Sequence, residues 1–240
     1  MIDTILFDLD GTLLISDSDK FTSAYMTELG RYMSRLHDPE PLVKAVWAGT
    51  KAMVKNDGSR TNEAAFWDTY SSIFGEEARK EEPVFAEFYA TRYEELKTLC
   101  GSHPEALPFI AELKKAGYKL VVATNPLFPL VVQKQRIRWT GLDPEIFDRI
   151  TAYENSRFSK PNPEYYREIL AAIGSAPENS LMVGNDALED MIAETTGMKT
   201  FLLTDCLLNR DGRDISSYPQ GGLADLKQFV CQNGFRKLPA

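Results

Sequence analysis

The chain has 240 residues, with 27 Lys and Arg against 35 Asp and Glu, giving a formal charge of −8 and a pI near 5.0. No basic run breaks that acidity, which excludes the concentrated cationic face of a nucleic-acid binder; an anionic ligand must be met locally, by a metal or a few aimed cations. With 43% hydrophobic and 26% charged residues, the composition is that of an ordinary globular protein long enough for one large or two modest domains.

The first predicted element is the apolar, β-branched run Thr4-Ile5-Leu6-Phe7, a strand buried on both faces. From about Ile15 to Ser102 the pattern turns helical. Phe21, Tyr25, Leu29, Tyr32, Met33 and Leu36 share one stripe, and Leu42, Val43, Val46 and Trp47 begin another after Pro39 and Pro41. After the turn signal Asn56-Asp57-Gly58-Ser59, Asn62 is positioned to cap a helix bearing Phe66, Tyr70, Ile73 and Phe74. A last helix, just inside Pro83, carries Val84, Phe85, Phe88 and Tyr93. Beyond Ser102 strands and helices alternate. A helix with Phe109, Ile110, Leu113 and Ala116 precedes the strand Lys119 to Ala123, and one with Tyr166, Ile169, Leu170 and Ile173 precedes Leu181-Met182-Val183; a further strand runs from Thr200 to Leu203. Such alternation implies βαβ units. The expected fold is α/β, a doubly wound parallel-sheet (Rossmann-like) core over residues 1–14 and 103–240, with residues 15–102 inserted as a helical domain.

Cys100, Cys206 and Cys231 are far apart and odd in number, with no metal-type spacing, so they read as free thiols in a reducing compartment. The chain opens without a basic leader and has no apolar run near the roughly 18 residues of a membrane helix; the expected location is cytoplasmic, with no membrane partner.

In open α/β sheets ligands bind beyond the carboxyl ends of the strands, so the residues that follow each strand carry the chemistry. After the first come Asp8-Leu9-Asp10-Gly11-Thr12, two carboxylates sent to the same side and a glycine that lets the backbone turn away. Held that close they repel unless a cation lies between them, and they suit one nucleophile and one acid/base over a metal. After the second come Thr124-Asn125-Pro126, where Pro126 is expected to open a helix whose free N–H groups make an anion site beside the Thr hydroxyl. Lys160-Pro161-Asn162-Pro163-Glu164 pins a lysine on a stiff segment, with Asn162 as cap and Pro163 as first helical residue. After the third strand come Gly184-Asn185-Asp186, with Asp190 one helical turn later. Singly, each has an ordinary reading as a cap or a solvated charge. Jointly they supply what Mg2+-assisted phosphoryl transfer through an aspartyl phosphate requires.

The sequence resembles the haloacid dehalogenase-like hydrolase superfamily. Phe7 to Leu13 matches its first motif, Thr124-Asn125 its second, Lys160-Pro161 its third and Gly184-Asn185-Asp186 through Asp190 its fourth, in order over nearly the whole chain. Two departures are an asparagine, Asn185, where many relatives have Gly-Asp directly, and Asn-Pro after Thr124. The resemblance implies a phosphatase with Asp8 as nucleophile, Asp10 as general acid and then base, Thr124 and Asn125 on the transferring phosphoryl group and Lys160 on its charge. It further implies Mg2+ held by the carboxylates of Asp8 and Asp186 with the backbone carbonyl of Asp10. Gly11 and Asp190 would support the site, Asp190 through Lys160 or a metal-bound water, and the helical insert resembles a mobile cap. The implied partner is a small phosphorylated substrate. A dehalogenase is disfavoured by Asp10, and a signalling receiver by the insert and by Lys160 preceding Asp186; a phosphomutase or a silent binding protein would share the motifs.

Overall fold

A computed structural model of the chain describes residues 1–232. Six strands form one parallel sheet in the order β5-β4-β1-β6-β7-β8: β1 (Thr4–Phe7), β4 (Lys119–Val122), β5 (Arg149–Ile150), β6 (Ser180–Gly184), β7 (Lys199–Leu203) and β8 (Gln220–Gly221). Counting only these strands along the chain, the order is 3-2-1-4-5-6, that of a doubly wound sheet, and the direction of winding reverses between β1 and β6.

Side chains alternate across β1. Ile5 and Phe7 join a large cluster with α5 (Ala106–Lys115), α6 (Leu130–Trp139) and α8 (Leu223–Gln232), while Leu6 joins a smaller one with Tyr165, Tyr166, Ile169 and Leu170 of α7 (Pro163–Ile173). The four strands expected from their apolar runs are all present. β5 and β8 were not expected, being two residues each and too short to carry a pattern.

The segment expected to be helical is so, with α1 (Ser18–Tyr32), α2 (Pro39–Val54), α3 (Asn62–Phe74) and α4 (Glu82–Ala90). Its two ends are tied by an antiparallel pair absent from the sequence reading, β2 (Leu14–Ser16) against β3 (Cys100–Ser102), whose Ser and Gly content hides it. Three expected stripe residues, Leu36, Trp47 and Ile73, face water instead of core. Asn62 does not cap α3; Thr61 does, accepting from Ala64 N at 3.2 Å. Asn62 is fully buried where the insert meets the core, donating to Pro126 O, Phe158 O and Ser159 Oγ.

Pro126 does not open a helix. α6 starts at Leu130, because Pro129 disfavours helical backbone at Phe128 and the Glu154 carboxylate accepts from Leu130 N at 3.0 Å. Asn162 caps α7 as expected, accepting from Glu164 N, with Pro163 in its first turn. Among the described residues, no helix is long and apolar enough to cross a membrane.

Candidate active site

The ladder of β1 continues one residue past the strand, with Asp8 N donating to Val183 O at 2.8 Å. This places Asp8 at the carboxyl edge of the sheet where the winding reverses. Leu9 then turns into the core, and its carbonyl accepts from Thr12, Leu13 and Leu14 N. That tight turn requires the positive φ of Gly11, +75°. A Cβ on Gly11 would also collide with the Asn185 amide, which accepts from Thr12 Oγ1 at 3.1 Å and donates to Cys206 O at 2.8 Å. Asn185 therefore clamps the turn after β1 to the end of β6.

Lys160 is buried, and its Nζ donates to Asp8 Oδ1 at 2.7 Å and to Asp190 Oδ1 at 2.6 Å. Asp190 also accepts from Asp186 N through Oδ2 at 2.9 Å, and a Cβ on Gly184 would overlap its carboxylate. Asp190 does not lie in an α-helix as expected, but its N–H reaches Asp186 O at 3.1 Å, which keeps the one-turn spacing. Burial pushes the Asp8 carboxyl up to about 8, in spite of Lys160, and the nearby Asp190 and Asp10 add to that effect. One ammonium shared by two buried carboxylates does not offset their burial, so Asp8 holds its proton up to about that pH unless a further cation joins it.

Asp186 Oδ1 accepts from Leu188 and Glu189 N, both at 2.8 Å, which fixes the carboxylate at the pocket. Thr124 is buried, and its carbonyl accepts from Tyr165 OH at 2.8 Å and Thr151 Oγ1 at 2.6 Å. Asn125 donates to Glu189 Oε2 at 3.2 Å, leaving its own buried Oδ1 without a partner. A cavity of about 190 Å³ brings Asp8, Asp10, Thr124, Asn125, Asp186 and Asp190 together. Lys160 stands behind it, held by its carboxylates.

The sequence reading missed Arg136. This buried arginine on α6 is ion-paired with Asp10, and its guanidinium lies 5.4 Å from the ring centre of Phe21 and 5.6 Å from that of Phe128. Burial opposes its charge, but the Asp10 carboxylate outweighs that and raises its pKa. Its only sequence signal is position: Val132, Gln133, Arg136 and Ile137 form the buried stripe of α6, with two polar residues where apolar ones are the rule.

Among the described residues, no three His, Cys, Asp or Glu side chains form a ready-made metal cage. What the pocket offers is a cluster of carboxylate oxygens, among them Asp8, which a further cation would let ionise, a donor set that fits a hard divalent cation keeping part of its water.

Fold and site together define an α/β enzyme centred on a carboxylate cluster at the switch point of a doubly wound sheet. The chain belongs to the haloacid dehalogenase-like hydrolase family, whose model matches residues 2–193. It is 26% identical over 209 residues to the pyrophosphatase PpaX of Bacillus mycoides (strain KBAB4), covering 87% of this chain and 86% of that protein. Its identity to the PpaX of Bacillus velezensis is 27% over 199 residues, covering 83% and 82% respectively. Among solved structures it resembles a HAD phosphatase from Thermococcus onnurineus (TM-score 0.60, 20% identity, covering 98% of this chain and 100% of that one). It also resembles CbbY from Rhodobacter sphaeroides in complex with phosphate (TM-score 0.58, 21% identity, covering 95% and 100%).

Proposed function

We propose that this hydrolase is a Mg2+-dependent phosphatase acting on a phosphoric monoester of a small metabolite through a phosphoryl group carried on Asp8. The observation that carries the reading is the buried Lys160 ammonium shared between Asp8 and Asp190 at the carboxyl edge of the sheet. An Asp8 oxygen attacks phosphorus, the bond to the leaving oxygen breaks, and Asp10 gives that oxygen its proton. Asp10 then takes a proton from water as the water attacks the aspartyl phosphate, which frees inorganic phosphate and restores Asp8. For both steps Asp10 must turn away from Arg136, its partner in the resting site, and it enters the first step carrying a proton that the second step restores.

Lys160 favours the ionised form of Asp8 against its burial and faces the charge that grows on the transferring group, while Thr124 and Asn125 also line the pocket. The residues that would hold Mg2+ are Asp8 and Asp186 by their carboxylates and Asp10 by its backbone carbonyl. When bound, the ion would offset the repulsion between an anionic phosphoryl group and this acidic cluster. The helices of residues 15–102 are read as a cap that closes over the pocket and excludes water. The three cysteines, all free, suit a reducing cytoplasm.

The test is release of inorganic phosphate from a panel of phosphomonoesters with and without Mg2+. Turnover that needs Mg2+ and is lost in Asp8→Asn is the expected result. Full activity in excess chelator, or an active Asp8→Asn enzyme, refutes the mechanism.

A further inference from the structure

The carboxylate pocket adjoins a second, larger cavity of about 380 Å³ lined by residues of both insert and core, and the two share Asp10, Ser18, Leu127, Phe128 and Arg136. A cavity of about 320 Å³ lined by Gly11, Asn185, Leu208 and Arg210 also adjoins the carboxylate pocket, but of the two it is the larger that is lined by Asp10, the group placed to protonate the leaving oxygen. The walls of this larger chamber are Phe21, Tyr25, Phe66, Phe85, Tyr89 and Phe128, drawn from α1, α3, α4 and the segment before α6. Two apolar side chains that would ordinarily be buried, Trp47 and Val131, line it while remaining 48% and 62% exposed.

Several polar groups of this chamber already have partners, and Trp67 Nε1 is left as a buried donor without one. Tyr25 and Tyr89 hydroxyls bond to each other at 3.1 Å, Thr50 Oγ1 donates to Val46 O, and Glu154 accepts from Leu130 N. Three carboxylates line it, Asp10, Glu82 and Glu154, against a single cation, Arg136, which Asp10 already pairs. A second phosphate or a carboxylate on the leaving group would meet net negative charge in a partly dry space. A sugar or glycerol would give up water around its hydroxyls for few partners. An aromatic or branched alkyl group loses nothing of the kind and gains contact with the rings.

We infer that the substrate is a phosphomonoester of a bulky apolar or aromatic alcohol, whose organic part fills this chamber; the inference rests on the phosphatase reading above. At the packing density of protein interiors the chamber has room for roughly a dozen heavy atoms. Pyrophosphate, named for the PpaX relatives, and phosphoglycolate, named for one structural neighbour, each put an anion where the chamber is acidic.

The experiment compares kcat/KM for phosphate release by the full chain with Mg2+ from phenethyl phosphate, glycerol phosphate, phosphoglycolate and pyrophosphate. Phenethyl and glycerol phosphates both leave as primary alcohols, so a difference between them reports the chamber more than the bond being broken. Phenethyl phosphate is expected to exceed glycerol phosphate by at least about tenfold and both anionic leaving groups by more. Trp47→Ala, at a half-exposed position of the chamber wall, is expected to raise KM for phenethyl phosphate several-fold and by more than it raises KM for glycerol phosphate. A kcat/KM for glycerol phosphate, phosphoglycolate or pyrophosphate equal to or above that for phenethyl phosphate overturns the inference and leaves the phosphatase reading standing. No release from any of the four overturns both.

Discussion

Replacing Lys160 separates its structural role from its chemical one. Its Nζ sits 2.7 Å from Asp8 and 2.6 Å from Asp190, and the side chain is 1% exposed, so water cannot take its place. Breaking a buried ion pair by removing one partner costs about 3 to 5 kcal/mol, which for a chain of this size lowers Tm by roughly 6 to 20 °C. Lys160→Met keeps most of the volume and so confines the loss to charge. The pH dependence has a definite sign. The Lys160 pKa is raised above its unfolded value, burial opposing and Asp190 with Asp8 outweighing, so the stability it contributes is fully present at any pH below that unfolded value and is missing from the variant throughout. The orphaned Asp8 and Asp190 carboxyls, both already raised by burial, are protonated in the folded state over a wider pH range than in the unfolded one. The variant therefore loses stability as pH rises, and its Tm deficit against wild type is larger at pH 8 than at pH 5. In kinetics, removing a donor aimed at developing charge lowers kcat by about 10² to 10³, with a smaller change in KM. Thermal unfolding at both pH values and steady-state kinetics on a phosphomonoester check this. Unchanged kcat with only a higher KM, or a Tm deficit equal at the two pH values, refutes the account of Lys160.

Asp186→Ala is expected to raise the Mg2+ concentration for half-maximal activity by at least about tenfold, since a carboxylate oriented by two N–H groups is lost; an unchanged Mg2+ titration refutes its role as ligand. Gly184→Ala drives a methyl group into the Asp190 carboxylate and is expected to cost about 1 to 3 kcal/mol and to lower kcat in the manner of the Lys160 variant; wild-type Tm and turnover would show that Asp190 is not held there. In metal-free protein the Asp8 carboxyl, raised from 3.8 to about 8, makes the folded state bind the extra proton between those values, so stability falls as pH rises through that window. A cation bound to Asp8 removes the penalty, so the Tm gain from Mg2+ is expected to be larger at pH 8 than at pH 5, and an equal or reversed gain refutes it.

Much of the core was legible because buried parallel strands are written as unbroken β-branched runs, as in Thr4 to Phe7 and Thr200 to Leu203. Three of the four motif segments were legible because they follow such runs, and the fourth, Lys160 to Glu164, because it opens α7 with Asn162 and Pro163. The start of α6 was not, because it is decided by Glu154, 24 residues away, and by Pro129, not by the Asn125-Pro126 pair. Asn62 looked like a cap because its type suits one, whereas its contacts with Pro126, Phe158 and Ser159 exist only once insert and core have met. Arg136 was hidden similarly, since an arginine among Gln, Lys and Arg on one helix reads as solvent-facing until the fold places Asp10 against it.

The antiparallel pair of β2 and β3 brings Ser16 opposite Cys100, so the chain leaves the core and returns to it through the base of one hairpin. Ladder partners lie only about 5 Å apart, and each doubling of a loop adds only about 0.6 kcal/mol of closure entropy. Closing the chain is therefore nearly indifferent to how many residues the excursion contains, and what ties the insert to the core is packing, such as Asn62 on Ser159 and Phe21 on Arg136. A different module joined between Ser16 and Cys100 would meet the same short closure, but it would have to cover the core surface on which Phe21 and Asn62 now pack.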